Sequence, residues 1–154
     1  MYLKQPLTKM EWKEKIRHWC ARRERSSFET KAKLIRLGAS LSEAEQFLLV
    51  LEKEGFINEK RFISAFIHDH FELKCWGPRK LYHALVKKGS PSHLIEEALS
   101  EIEDQEIEKA LNSAISSRFI LYPNEHFTNR ERLIRYLQNR GYTLDNILRA
   151  LSRL

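Results

Sequence analysis

The side chains of this 154-residue chain whose types and spacing invite chemistry are cations in clusters. Arg22, Arg23 and Arg25 crowd one short stretch, and Lys31, Lys33 and Arg36 follow it. Arg79, Lys80, Lys87 and Lys88 make a second group, and Arg130, Arg132, Arg135 and Arg140 a third. Guanidinium and ammonium groups in series make and break no covalent bonds. They hold phosphates or carboxylates, or they keep a surface solvated. Their return in three separate places favours an anionic partner that meets the same kind of element more than once.

Other chemistry finds few candidates. His68 and His70 lie two residues apart, on different faces of a helix, and His83 and His93 have no partner at a zinc-like spacing. No phosphate-cradling glycine loop, GxSxG or HExxH occurs. Glu96 with Glu97, and Glu101 with Glu103, read as a solvated helix face rather than a general acid and base. Phe56, Phe62, Phe66 and Phe71 stand at helical spacing and read as core. Trp76, beside Gly77-Pro78, reads as a ring packed at a bend in preference to a stacking platform for bases. The expectation is a protein that is not an enzyme, with no catalytic residue, metal or cofactor.

The elements that position these cations are set by a repeat. Leu34-x-x-x-Gly38, Leu85-x-x-x-Gly89 and Leu137-x-x-x-Gly141 place their glycines 51 and 52 residues apart. Six residues past each glycine stand Ala44, Ile95 and Ile147; nine past stand Phe47, Ala98 and Ala150; ten past stand Leu48, Leu99 and Leu151. Those offsets describe one apolar stripe on a helix that begins after the glycine. The glycine ends the helix before it, and that preceding helix is the one carrying the cations. An all-α chain of three tandem three-helix repeats follows, divided as 1–54, 55–103 and 104–154, with no part left over for a separate catalytic domain.

Helix starts are legible as well. Thr8-x-x-Glu11, Ser26-x-x-Glu29, Ser40-x-x-Glu43 and Thr128-x-x-Glu131 have the form of capping boxes, and Ser90-Pro91 places proline at a first helical position. Stops are expected at Gly38, Gly55, Gly89 and Gly141. These marks predict nine helices, over 8–24, 26–37, 41–54, 58–75, 78–88, 91–103, 105–121, 129–140 and 143–153, with Tyr122 to Phe127 as the one loop of any length.

Composition sets outer bounds. The chain carries 27 Lys and Arg against 21 Asp and Glu, a formal charge of +6. The excess is +4 in the first unit, zero in the second and +2 in the third. This balance favours anionic partners. No run of eighteen apolar residues occurs and the N-terminus has no apolar signal-like core, so a protein that neither spans a membrane nor is secreted is expected. Cys20 and Cys75 form no CxxC pair and read as free thiols in the cytoplasm.

Four segments in order then carry a family resemblance. They are Ala21-Arg22-Arg23-Glu24-Arg25-Ser26; Leu51-x-x-x-Gly55-Phe56-Ile57-Asn58-x-x-Arg61-Phe62-x-x-x-Phe66; Gly77-Pro78-Arg79-Lys80-Leu81-x-x-x-Leu85-x-x-x-Gly89; and Ile95-Glu96-Glu97-Ala98-Leu99. Together they resemble the RecX family of bacterial regulatory proteins over roughly Ile16 to Leu154. The resemblance implies an elongated, curved body that lies in the groove of the RecA filament on single-stranded DNA. It also implies a non-enzymatic monomer that curbs ATP hydrolysis, strand exchange and co-protease activity, and so bears on DNA repair and the SOS response. Arg61 joins the binding residues on this ground. Single- or double-stranded DNA is a further expected contact. One departure stands out: where the family usually carries arginines before Gly77, this chain has Asp69 and Glu72, which oppose a phosphate. The alternative from another class is a stand-alone DNA-binding regulator, because Leu81 to Leu99 and Leu133 to Leu151 can each pass for a helix-turn-helix.

Overall fold

The computed structural model describes residues 5–154, so the first four residues of the expected first repeat lie outside the described residues. The elements are α1 (Lys9–Ala21), α2 (Ser27–Leu37), α3 (Leu41–Lys53), α4 (Glu59–Ile67) with a π-helical turn (His68–Glu72), α5 (Pro78–Lys87), α6 (Ser92–Ser100), α7 (Asp104–Leu121), the short α8 (Glu125–Thr128), α9 (Arg130–Asn139) and α10 (Leu144–Leu151). No strand occurs among the described residues.

The repeated Leu-x-x-x-Gly motif is a helix-ending hydrogen-bond pattern. Each glycine sits in the left-handed region, with φ of 114° at Gly38, 80° at Gly89 and 101° at Gly141. The residue after it folds back, and its amide donates to the leucine carbonyl: Ala39 to Leu34 at 3.1 Å, Ser90 to Leu85 at 3.1 Å and Tyr142 to Leu137 at 3.3 Å. This is the Schellman arrangement, and it buries both the leucine and the residue after the glycine. Leu51-x-x-x-Gly55-Phe56 repeats it at the end of α3, with Phe56 donating to Leu51 at 2.9 Å.

Apolar stripes on these helices meet in three clusters, one after another along the chain. The first centres on Trp12, Ile16, Leu34, Ala44, Phe47 and Leu51. The second gathers Phe62, Ile63, Phe66, Phe71, Leu81, Leu85 and Ile95. In the third, Leu111, Ile115, Leu133, Leu137, Tyr142, Ile147 and Leu151 come together. Leu34, Leu85 and Leu137 are fully buried, as are their cross-helix partners Ala44, Ile95 and Ile147. Ile107 and Ala110 of α7 pack against both the second and the third cluster. An accessible surface of 10423 Å² exceeds the roughly 8100 Å² of a compact monomer of this mass, as expected for an elongated body whose units each touch only their neighbours.

Several expectations need correction. The helix predicted over 58–75 is α4 followed by the π-helical turn, and it ends near Leu73. Phe66 and Phe71 are both buried yet lie five residues apart, which an α-helix would send to different sides and a π turn brings to the same one. The loop expected over Tyr122 to Phe127 contains α8. Thr128 does not cap α9: its hydroxyl donates to the Asn124 carbonyl at 2.9 Å. Asn129 is the cap, accepting from the Arg132 amide at 3.2 Å. Pro91 sits one position before the first helical residue of α6, and its carbonyl accepts from Ile95 at 3.1 Å. The boxes at Thr8, Ser26 and Ser40 form as expected.

Gly89 and Gly141 also do more than stop helices. A Cβ on Gly89 would lie 2.7 Å from Phe28 of the first unit. A Cβ on Gly141 would lie 2.5 Å from the Lys80 amide nitrogen, and one on Gly77 would lie 2.4 Å from the Gly141 carbonyl carbon. Through that contact Gly77 donates to Arg140 at 2.6 Å and Arg79 to Gly141 at 3.1 Å, so backbone joins the second unit to the third. Tyr142 closes the joint by donating its hydroxyl to the Cys75 carbonyl at 2.8 Å.

Candidate interface for an anionic partner

The expected cations lie where the sequence puts them, on the second helix of each unit and at the turn into the first of these. Lys31, Lys33 and Arg36 are on α2, Arg79, Lys80 and Lys87 on α5 with Lys88 at its end, and Arg130, Arg132 and Arg135 on α9. Arg22, Arg23 and Arg25 occupy the turn between α1 and α2. Their environments divide them.

One set is bonded to partners within the molecule, whether buried or at its surface. Arg25 is only 7% exposed, its guanidinium carbon 3.9 Å from the centre of the Trp19 ring and its Nε donating to the Trp19 carbonyl at 3.3 Å. Burial, and then the charge of Arg23, lower its proton affinity. Arg61 ties the first two units together, donating to Glu24 at 3.1 Å and to the Gly55 carbonyl at 2.6 Å. Lys31 pairs with Glu45 at 2.9 Å. Arg132 pairs with Glu125 at 3.4 Å and lies 4.9 Å from the Tyr122 ring centre. Lys80 stands 4.1 Å over Trp76, and burial, followed by the like charge of Arg140, lowers its pKa. Arg140 in turn donates to the Lys74 carbonyl.

The other set faces solvent. Arg22, Arg23, Arg36, Arg79, Lys87, Lys88, Arg130 and Arg135 are exposed, and none has an ion-pair partner among the described residues. Lys33 is half-buried and equally unpaired. Counted from the repeat glycines, Arg36 matches Lys87, and Lys80 matches Arg132. Recurrence is therefore a property of the helix more than of fixed positions along it. Such a set can neutralise phosphates or carboxylates presented along an extended surface. Trp76 is packed rather than free, its ring centre 4.5 Å from that of His70 and 6.3 Å from that of Phe66.

Sequence reasoning missed the most buried charge pair. Glu125, 4% exposed, accepts two bonds from Arg118, at 2.7 and 2.8 Å, while the Arg118 guanidinium lies 4.0 Å from the Tyr122 ring centre and 4.3 Å from that of Tyr136. The Arg118 bonds hold the Glu125 carboxyl below its ordinary range. The two partners lie seven residues apart across Pro123-Asn124, a spacing that marks no pair in advance. No group of three or more His, Cys, Asp or Glu side chains is placed to hold a metal ion among the described residues. No helix among the described residues is long and apolar enough to cross a membrane.

Residues 58–99 match a family model described as "RecX, second three-helix domain", which spans α4 to α6. The regulatory protein RecX of Thermus thermophilus is 33% identical over 109 residues, 71% of this chain and 68% of the relative. That of Prosthecochloris aestuarii is 32% identical over 133 residues, 86% of this chain and 85% of the relative. The crystal structure of RecX from Lactobacillus salivarius shares the fold at a TM-score of 0.80, covering 94% of this chain and 97% of its own at 17% identity.

Proposed function

We propose, from the premise that this chain belongs to the RecX family of regulatory proteins, that it binds RecA and its filament on single-stranded DNA and restrains recombinase, ATPase and co-protease activity. Such restraint affects DNA repair and the SOS response, and in this reading the protein acts in the cytoplasm as a monomer. The units divide at 54/55 and 103/104, and Phe56 and Ile57 pack back into the first core across that seam.

The observation that carries the proposal is the set of unpaired, exposed cations on one helix of every unit: Arg36 on α2, Arg79 and Lys87 on α5, Arg130 and Arg135 on α9. A filament offers the same acidic or phosphate-bearing surface at each step, and an elongated body of three units meets it more than once. Arg22, Arg23, Lys33 and Lys88 extend the same surface. Arg25, Arg61, Lys31, Lys80 and Arg132 support it through bonds within the molecule, by holding the turns and joints that present it.

Strand exchange and LexA-type cleavage by the cognate recombinase test the proposal, with this protein added at substoichiometric ratio. Both reactions should slow. If neither does, and no co-sedimentation with the filament is seen, the proposal is wrong. The triple variant Arg79→Ala, Lys87→Ala, Lys88→Ala should weaken filament binding while its circular dichroism stays unchanged. A sequence-specific footprint on duplex DNA without recombinase would favour a stand-alone DNA-binding regulator instead.

A further inference from the structure

Trp19 opens onto a groove of about 560 Å³ between α1 and α2, which Lys15, His18, Arg22 and Lys33 also line. Glu14 is the one acid on its wall. Lys15, Arg22 and Lys33 have no ion-pair partner among the described residues. The ring is half-buried and held in place: Arg25 covers one face, and a guanidinium carbon only 3.9 Å from the ring centre must lie over the plane rather than at its edge.

This groove recurs in the other units with different contents. Trp19, His70 and Tyr122 each stand nineteen residues before their repeat glycine, so a ring occupies the same place in all three units. In the second, His70 stacks on Phe66 at 3.9 Å, and the groove of about 280 Å³ beside it is lined by the acids Glu24, Glu29 and Asp69 as well as by Arg23 and Lys88. In the third, Arg118 fills the space against Tyr122 and Tyr136, and Glu125 neutralises it. The third unit has thus supplied its own planar group and its own counter-charge, and the second has a wall of mixed sign. Only the first presents an open, basic groove with an indole in it.

We propose that this groove of the first unit is a single-stranded nucleic-acid site, in which Trp19 stacks a base and Lys15, Arg22 and Lys33 hold the adjoining phosphates. A fixed aromatic ring among unpaired cations is the combination that binds single strands without regard to sequence. A duplex hides its base faces, and an acidic peptide gains nothing from the indole. The inference deepens the filament reading and rests on it for the biological source of the strand. It departs from it in one respect: three repeats supply one stacking site, not three.

Anisotropy of a labelled oligo(dT) of about 15 nucleotides, without recombinase, tests the site. The unmodified protein should bind with log K falling against log salt at a slope of about −2, from three phosphates at roughly −0.7 each. Trp19→Leu should weaken binding roughly tenfold and Trp19→Phe should retain most of it. Arg22→Ala with Lys33→Ala should bring the slope to about −0.7. Lys53→Ala with Lys109→Ala removes equal charge away from the groove and should leave binding unchanged. Circular dichroism checks each fold; if Trp19→Leu loses helicity, the Arg22, Lys33 pair decides. Oligo(dT) binding that is absent in the unmodified protein, indifferent to Arg22 and Lys33, or equally reduced by Lys53 and Lys109 overturns the site. Absent oligo(dT) binding with filament binding retained would leave the filament reading intact and make this groove a protein contact.

Discussion

Two buried side chains show how a single residue can carry more than its position suggests. Glu125 exists to satisfy Arg118, which is 12% exposed against its own 3%. Removing one partner of such a pair leaves the other charge buried. Glu125→Gln should therefore cost about 3 kcal/mol of stability by urea denaturation, and Glu125→Leu with Arg118→Met should cost less than either single change. The pair also fixes an acid-side dependence. Because the folded carboxyl titrates below its ordinary range, its stabilisation is present above about pH 4.3 and is lost as pH falls further. Cys20 acts at the other end of the scale, since burial pushes its thiol up to about 11. A group raised on folding contributes fully below its unfolded pKa, about 8.5, and loses that contribution as pH climbs through 11. Relative to Cys20→Ala, the unmodified protein should lose stability across that window; parallel curves would show that Cys20 does not titrate as its burial dictates.

At the scale of elements, the four helix-ending glycines share a conformation but not a surrounding. Gly55 has φ of 81° and nothing within 4 Å of a Cβ, so Gly55→Ala should cost only the strain of a left-handed residue, about 1 kcal/mol. Gly141 has φ of 101° and lies against the Lys80 backbone, so Gly141→Ala adds a steric clash to that strain and should cost about 3 kcal/mol or more. Gly77 is the complementary case. Its backbone is extended, with φ of −75°, and Gly77→Ala should be costly through contact alone. Equal losses at Gly55 and Gly141 would mean that close approach of the second and third units contributes nothing. The Leu-x-x-x-Gly spacing made the stops visible, because a Schellman ending depends on residues within six of one another. It did not distinguish a free stop from a docked one, since the atoms met by Gly141 come from some sixty residues away.

The whole molecule joins three modest cores rather than growing one. Its surface is larger than that of a compact chain of equal mass, and its joints rest on backbone bonds at Gly77 and on the Glu59 carboxylate, which accepts from Ser27 at 2.7 Å and Ser90 at 3.2 Å. Small-angle scattering should return a radius of gyration clearly above the roughly 15 Å of a compact 154-residue domain. A value at that figure would contradict an extended body. Charge is likewise spread along the length, so filament binding should weaken steeply with added salt, a dependence that an uncharged interface would not show.

By itself the sequence determined most of the helices, three of the four expected capping boxes, the period of about 51 residues and which stripe of each helix is buried, because all of these follow from contacts between near neighbours in the chain. It also located the cations. Which of them remain free was decided only by tertiary structure. Arg25 meets Trp19, Arg61 meets Glu24 and Lys80 meets Trp76 in ways that depend on how a turn closes or how one unit docks on the next. The same holds for the groove at Trp19, whose counterparts in the other units are walled by charges of both signs or filled by Arg118. A repeat in sequence specifies equivalent frames. What each frame holds depends on side chains that arrive from distant parts of the chain, and there the three units differ.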